Sequence, residues 1–137
     1  MNASRNRSTL IIAAALLSLA AQRHSLAGSA TWSQNPTSGD WYTASNWTPN
    51  TIPSGILDVA SFSTSNVTQV SVSARTEISG ISFGPGADSY TITAEPGDPL
   101  ILGGSGITNA SGKVQTFVSA VDDSGGLTGA IFFENGA

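Results

Sequence analysis

The stretch EISGISFGPGADSYTITA, residues 77–94, decides the fold class of this chain. Apolar and polar residues alternate in both of its halves, and a glycine- and proline-rich FGPGAD separates them. Short runs that alternate in this way and are rich in β-branched and aromatic residues predict half-buried strands, whereas the glycines and proline predict a turn. The residues predicted to face the core are Ile78, Ile81, Phe83, Tyr90 and Ile92.

The same pattern extends in both directions from this stretch. No segment after the first thirty residues repeats apolar residues at helical spacing, and turn-forming clusters such as EPGDP, GGSG, NASG and DDSGG separate the runs. The chain is therefore predicted to be all-β. The further predicted strands are LDVASFS with Leu57, Val59 and Phe62, TQVSVSA with Val70 and Val72, PLILGG with Leu100 and Leu102, VQTFVSAV, and GAIFFEN with Ile131 and Phe133.

Two architectures fit such a chain. We expect a parallel β-helix, or solenoid, because small residues dominate and polar Ser, Thr and Asn recur at strand ends, where they can stack. A weak repeat supports this expectation: SGISFGPGA begins at Ser79 and SGITNASGK at Ser105, and a spacing in the twenties suits one coil. An antiparallel β-sandwich with similarly spaced short strands is the alternative.

The first residues differ from the rest and predict a secretory signal peptide, residues 1–27. Arg5 and Arg7 precede the apolar run LIIAAALLSLAA, and small residues permit cleavage after Ala27 or, alternatively, after Ala30. The run is too short to span a bilayer, which needs about 20 apolar residues. The mature chain is thus expected to be exported and to carry no integral membrane segment.

The rest of the chain divides into two expected parts. Residues 28–56 are rich in tryptophan and are predicted to form an N-terminal cap, and residues 57–137 are predicted to form solenoid coils. Because the last strand-like run is followed by no capping element, we expect the chain to be truncated and to continue into or stack on further β-coils.

Composition excludes several classes of function. After residue 27 the only basic residues are Arg75 and Lys113 against nine acids, which gives a net charge of two minus nine, or −7. Nucleic-acid binding depends on Lys and Arg at phosphates and is therefore not expected. The same part of the chain has no His and no Cys, so no Ser-His-Asp or Cys-His pair can form. No catalytic residue, cofactor or metal is predicted.

The tryptophans raise the main functional question. Trp41, Tyr42 and Trp47 lie within the polar stretch SGDWYTASNWTPNTIPSG, residues 38–55, and Trp32 precedes it. Exposed, they would form a stacking platform for a sugar ring and make the chain a carbohydrate-binding module. If the tryptophans are buried, they would cap the N-terminal end of the stacked strands. This is the favoured interpretation, because no tryptophan recurs later in the chain. The turn-forming side chains of Asp40 and Asn46 are expected to bond local backbone.

The acidic residues give no convincing site. Asp122 and Asp123 are adjacent in a turn-like VDDSGG, where solvated acids are the usual case. GGSGITNAS begins like a calcium-binding repeat but has Thr108 where the ligand Asp belongs, so a glycine turn is expected. A β-helix polysaccharide lyase or hydrolase is the third interpretation, with Arg75 or Lys113 as its only available bases.

A family resemblance joins these observations. The leader, then ATWSQNPTSGDWYTASNWTPNTIPSG, ISGISFGPGADSYTIT and GITNASGKVQTFV, resembles the N-terminal region of bacterial secreted proteins with autotransporter-associated β-strand repeats. The resemblance covers roughly residues 30 to 135 and implies a parallel β-helix outside the cell, with no catalytic residues to carry over. Such proteins usually continue for many more coils and end in an anchoring or translocator region, so the resemblance leaves the secretion route and the surface attachment open.

We therefore expect a non-enzymatic, exported bacterial protein that is a surface or extracellular structural segment, adhesin-like in character. Its expected location is extracellular or at the outer cell surface, reached through the periplasm. The expected partners are a polysaccharide or another component of the cell surface.

Overall fold

The computed structural model describes residues 28–121, 124–125 and 129–134. The predicted signal peptide and the acidic pair at 122 and 123 lie outside the described residues. The described part of the chain is all-β, as predicted, with one short 3-10 helix at Ala44–Asn46. Its strands are β1 Ala30–Trp32, β2 Trp47–Thr48, β3 Val59–Phe62, β4 Gln69–Val72, β5 Thr76–Phe83, β6 Thr91–Ala94, β7 Leu100–Asn109, β8 Thr116–Ser119 and β9 Ile131–Phe133.

The strands form two sheets. The larger has the order β2-β1-β3-β5-β7-β9, and the smaller has the order β4-β6-β8. From β3 onward, successive strands alternate between the sheets, so each strand pairs with the second strand after it. All pairs are parallel except β1 with β2. The antiparallel pairing that a sandwich requires is therefore found, within the described ranges, only at this first pair.

The parallel ladders place residues side by side that are well separated in the sequence. From β3 onward in the larger sheet, the shortest separation is that of Val59 and Gly80, and the longest is that of Leu100 and Ile131. The Ser-Gly-Ile repeat noted in the sequence falls in one ladder, because Gly80 pairs with Gly106 in the register that brings the two copies together. The two serines that open the copies lie close, with their Oγ atoms 3.4 Å apart.

The core lies between the two sheets and is continuous along them. Alternate residues of β3, β4 and β6 are buried, as the period-two pattern predicts. An aromatic column runs through the core along the stacking direction. The ring centroids of Trp47 and Phe62 are 5.8 Å apart, those of Phe62 and Phe83 are 5.2 Å apart, and those of Phe83 and Phe117 are 6.2 Å apart.

A bulge explains why β5 buries two residues of opposite parity. Ile78 and Ile81 are three positions apart, yet both are buried. The register shifts between Ile78 and Gly80, and the opposing stretch of β7 is longer than that of β5. The additional residues of β7 include Gly104, at which a Cβ would collide with the side chain of Ser79. The irregular stretch thus turns the second half of β5 so that its apolar side chains also face the core.

Each of the seven apolar runs predicted to be a strand overlaps one strand of the structure, but two details of the prediction were wrong. Leu57 was expected to face the core and is 84% exposed, because β3 begins later and buries Ala60 and Phe62 instead. GGSG was expected to interrupt a strand, but β7 continues through it as far as Asn109. The glycines of GGSG therefore mark a bulge within β7 and not the end of the strand.

Candidate functional site: the tryptophan segment

Residues 28–56, here called the tryptophan segment, fold back across the first edge of the larger sheet. β1 ends at Trp32, a polar loop follows, and the 3-10 helix leads directly into β2 at Trp47. β2 pairs antiparallel with β1, so that these two tryptophans are register partners. On its other side β1 pairs in parallel with β3. The segment is thereby fixed to the first edge of the larger sheet.

The three indole rings of the segment pack against one another in the core. Trp32, Trp41 and Trp47 are at most 1% exposed. Trp47 lies in the middle, with its ring centroid 4.9 Å from that of Trp32 and 4.8 Å from that of Trp41, both in edge-to-face orientation. Such edge-to-face pairs are favourable because the positive ring edge meets the negative face. All three rings also contact Phe62, the next member of the aromatic column.

Each buried indole N–H has a hydrogen-bond acceptor. The Nε1 of Trp32 donates to the carbonyl of Val67 at 3.0 Å, and that of Trp41 donates to Pro53 at 2.9 Å. The Nε1 of Trp47 donates to the carbonyl of Trp41 at 2.7 Å. Because these donors are satisfied inside the protein, burial of the indoles carries no penalty for a lost hydrogen bond with water.

The carbohydrate-binding interpretation assumed exposed tryptophans, and this assumption was wrong. A sugar ring stacks on an aromatic face that solvent can reach, and none of the three indoles offers one. Tyr42, the fourth residue of the expected platform, is half-buried and packs against the core that contains the three indoles. Its hydroxyl donates to the carbonyl of Arg75 at 2.9 Å and accepts a hydrogen bond from Thr76 at 3.2 Å. Tyr42 thus fastens the loop to the connection between β4 and β5.

Asn46 organises the polar loop between the tryptophans. Its side chain is fully buried, and its Oδ1 accepts hydrogen bonds from the backbone N–H groups of Thr37 and Ser38 at 2.8 and 3.2 Å. Its Nδ2 donates to the hydroxyl of Ser38 at 2.9 Å and to the carbonyl of Asp40 at 2.8 Å. The expectation that Asn46 bonds local backbone is therefore confirmed, and both ends of its amide are used.

Asp40 connects the loop to the smaller sheet. Its carboxylate accepts hydrogen bonds from the backbone of Tyr42, the hydroxyl of Thr43 and the hydroxyl of Ser73. Partial burial acts to raise the pKa of Asp40, but these three donors outweigh it and hold the pKa below the usual 3.8. The backbone also bridges to β4, since Trp41 donates to the carbonyl of Ser71 at 2.9 Å.

A second polar cluster lies further along the stack. Lys113 pairs with Asp88 at 2.9 Å, and the backbone of Ser65 also donates to this carboxylate. Both hydrogen bonds lower the pKa of Asp88. The hydroxyl of the neighbouring Tyr90 donates to the carbonyl of Ser63 at 2.6 Å, and burial raises the pKa of Tyr90 to about 12. These groups bridge successive coils of the chain. Their contacts could not be predicted from local sequence, because the partners are distant in the sequence.

The two basic residues after residue 27 are both engaged in ion pairs. Arg75 lies 3.1 Å from Glu77, and Lys113 pairs with Asp88. Across residues 28–121, 124–125 and 129–134, His, Cys, Asp and Glu form no group of three or more suited to a metal ion. In the same ranges the structure contains no helix with the length and apolar character needed to cross a membrane.

The strand order and the packed indoles define an all-β protein with two mainly parallel sheets and a tryptophan-rich first edge. No protein-family model, curated protein or solved structure matches the chain.

Proposed function

We propose that this chain is a non-enzymatic structural segment of an exported bacterial protein, built as the first coils of a parallel β-solenoid and placed at the cell surface or outside the cell. One observation carries the proposal: strands that alternate between two sheets are joined to their equivalents by successive parallel ladders, as Val59 is to Gly80 and Leu100 is to Ile131. A chain that advances one strand spacing each time it returns to the same sheet winds as a solenoid.

The side chains that bridge these ladders support a structural role. Equivalent polar residues meet across successive coils, as Asn66 does when it donates to the side chain of Asn35 at 3.0 Å. Gln115 likewise accepts from the backbone of Tyr90 at 2.8 Å and donates to the carbonyl of Asp88 at 3.0 Å. Such contacts stabilise the stack itself, since each joins a residue to its neighbour one coil away.

The chemistry of the mature chain fits the non-enzymatic part of the proposal. After residue 27 the sequence contains no His and no Cys, and its two basic residues are held in ion pairs with acids. The location rests on the basic start, the apolar run and the small residues at the predicted cleavage point. The resemblance to secreted proteins with autotransporter-associated repeats points to the same location, and no observation favours the lyase or the carbohydrate-binding interpretation.

The coil geometry can be tested by engineered disulfides, because the full chain contains no native cysteine. In the variant with Ser79→Cys and Ser105→Cys, the two sulfurs replace hydroxyls that lie 3.4 Å apart, and we expect an intramolecular disulfide to form on mild oxidation. The matched control combines Ser79→Cys with Thr108→Cys. Thr108 lies further along the same ladder, about 10 Å away, and should leave both thiols free.

The location can be tested by expressing the full chain in a bacterium and fractionating the culture. We expect the protein in the medium or on the outer surface, with its N-terminus at Gly28 or at Thr31 after cleavage at the alternative site. Retention of the uncleaved chain in the cytoplasm would contradict the exported part of the proposal. Equal disulfide formation in the two cysteine pairs would contradict the coil geometry.

A further inference from the structure

Three asparagines after residue 27 stand in the triplet Asn-x-Ser/Thr with a middle residue other than proline. They are Asn46 in NWT, Asn66 in NVT and Asn109 in NAS. The triplet is the acceptor sequence for transfer of a sugar to the side-chain amide of asparagine in exported proteins. It is short and recurs readily in a chain rich in Ser and Thr, so accessibility in the folded protein has to distinguish the three copies.

The chemistry of the modification supplies the criterion. An asparagine amide carries two hydrogens on Nδ2, and attachment of a sugar replaces one of them and keeps the other. An asparagine that is modified in the folded protein must therefore be exposed to solvent. Its Nδ2 must also have at least one hydrogen that no protein acceptor occupies.

Asn46 fails this criterion on both counts. Its side chain is fully buried. Its Nδ2 donates one hydrogen to the hydroxyl of Ser38 at 2.9 Å and the other to the carbonyl of Asp40 at 2.8 Å. A sugar on this nitrogen would break one of these bonds and displace the loop of the tryptophan segment, so the folded protein excludes modification at Asn46.

Asn66 and Asn109 meet the criterion. Both residues are exposed. Within the described part of the chain, the Nδ2 of Asn66 makes one hydrogen bond, to the Oδ1 of Asn35 at 3.0 Å, and that of Asn109 makes one, to the carbonyl of Lys113 at 2.8 Å. Each bond uses a single hydrogen. The second hydrogen is left for replacement by a sugar, and the existing hydrogen bond can persist after the modification.

The triplet at Asn109 is held together as a unit by its own hydrogen bonds. The Oδ1 of Asn109 accepts from the backbone N–H of Ser111 at 3.1 Å and from its hydroxyl at 2.6 Å. Ser111 is the residue whose hydroxyl defines the triplet. This turn at the end of β7 therefore presents the amide and the hydroxyl together on the surface.

The two exposed asparagines lie on the same edge of the stack. Asn66 lies in the connection from β3 to β4, and Asn109 ends β7 before the connection to β8. Between these connections lies the one from β5 to β6, where Asp88 accepts from the backbone of Ser65 on one side and pairs with Lys113 on the other. The two asparagines are thus two strand spacings, about 10 Å, apart along the stack. Sugars on both would project from one edge, away from the core.

We propose that Asn66 and Asn109 are acceptor sites for N-linked sugars. The inference rests on the exported location proposed above and goes beyond the structural role. The donor is an activated sugar whose C1 is bonded to a diphosphate carried by a nucleoside or a lipid. The bond from C1 to the diphosphate oxygen breaks, the bond from C1 to Nδ2 forms, the diphosphate leaves with the electron pair, and Nδ2 releases one proton.

The test begins with the full chain purified from the cells that encode it. Fragmentation mass spectrometry of its peptides should show sugar masses on Asn66 and Asn109 and an unmodified Asn46. Asn35 is the matched control, because it is exposed and contacts Asn66, but it is followed by Pro36, which excludes modification. Sugar on Asn46, or none on both Asn66 and Asn109 in a chain recovered outside the cytoplasm, would overturn the inference.

Variants expressed in the same cells test the role of the triplet itself. Ser111→Ala keeps Asn109 and its exposure but removes the hydroxyl, so the sugar on Asn109 should be lost while that on Asn66 remains. Ser111→Thr should retain both sugars, and Asn66→Gln should lose only its own. Unchanged modification of Asn109 in Ser111→Ala would contradict the assignment. If the chain is exported without sugars, this inference alone fails; if it stays in the cytoplasm uncleaved and unmodified, the exported part of the proposed function fails with it.

Discussion

Gly80 and Gly106 lie side by side in the parallel ladder between β5 and β7, although they are distant in the sequence. A Cβ at residue 80 would collide with the carbonyl oxygen of Gly106 and with the side chain of Ser105. Glycine recurs in the Ser-Gly-Ile motif for two different reasons: at residue 80 the backbones approach too closely for a Cβ, whereas Gly106 has a positive φ of 66°, which favours glycine.

Gly80→Ala should therefore destabilise the protein. We expect a loss of about 1–3 kcal/mol in the free energy of unfolding, the usual cost of adding a methyl group to a tightly packed interior. The measurement is urea unfolding followed by circular dichroism. Gly84→Ala is the control, because a Cβ there would meet its nearest neighbour, the carbonyl oxygen of Phe62, at an ordinary 3.7 Å. Equal stability of the two variants would contradict the close approach.

Asn46→Ala should release the loop of the tryptophan segment. The substitution leaves the backbone N–H groups of Thr37 and Ser38 and the carbonyl of Asp40 without their buried partner. We expect the free energy of unfolding to fall by about 2–4 kcal/mol. Asn66→Ala is the control, because Asn66 is exposed and its side chain donates a single hydrogen bond, and it should cost about 0.5 kcal/mol or less. If Asn46→Ala lowered the free energy of unfolding no more than Asn66→Ala does, Asn46 would not be the residue that organises the loop.

The tryptophan fluorescence of the folded protein should be blue and poorly quenched by acrylamide. Trp32, Trp41 and Trp47 are all buried, so neither water nor quencher can reach them before unfolding. Added polysaccharides should leave the emission unchanged. Trp47→Ala removes the central ring and should cost about 3–5 kcal/mol. Red emission from the folded protein, or a shift on titration with a polysaccharide, would restore the carbohydrate-binding interpretation.

The hydrogen bond from Ser73 to Asp40 should contribute a pH-dependent part of the stability. The pKa of Asp40 is lower in the folded protein than its usual value, so the stabilisation is complete at neutral pH and is lost as the pH falls through the folded pKa. Ser73→Ala should accordingly destabilise the protein more at pH 7 than at pH 2. The comparison requires unfolding curves of both proteins at each pH. If Ser73→Ala lowered the free energy of unfolding by the same amount at pH 7 and at pH 2, the hydrogen bond from Ser73 would not favour the carboxylate form of Asp40.

Tyr90 should titrate at about pH 12, because burial disfavours its charged form. A raised pKa means that the contribution to stability is complete below pH 10 and is lost as the pH rises towards 12. The difference in absorbance at 295 nm between the native chain and Tyr90→Phe isolates this phenol. A midpoint for Tyr90 near 10, with the protein still folded, would contradict its burial.

The strands were predictable from the sequence because alternation of apolar and polar residues is a local signal. Val70 and Val72, for example, mark β4 without reference to any other part of the chain. The repeated Ser-Gly-Ile also indicated which segments pair, since Gly80 and Gly106 are in register. The burial of Asn46 could be anticipated only in part: its residue type favours a turn, but nothing local specifies that its amide has five hydrogen bonds.

The failed or missing predictions all depended on distant partners. The exposure of Leu57 follows from where β3 pairs with β5, and alternation alone allowed either face to be buried. The extension of β7 through GGSG depends on the bulge opposite Ser79, which no local pattern reveals. β1 and β2 were not predicted as strands, because they are very short and exist through their pairing with each other and with β3.

The unequal separations between ladder partners have a consequence for the history of the sequence. Val59 meets Gly80 and Leu100 meets Ile131 in the same sheet, yet the stretch of chain that joins the second pair is clearly the longer one. Corners can therefore gain or lose residues while the hydrogen-bonded rows keep their alignment. Insertions and deletions at such corners would remove a fixed period from the sequence and leave the winding of the strands unchanged, so a search for regular repeats would miss a fold of this kind.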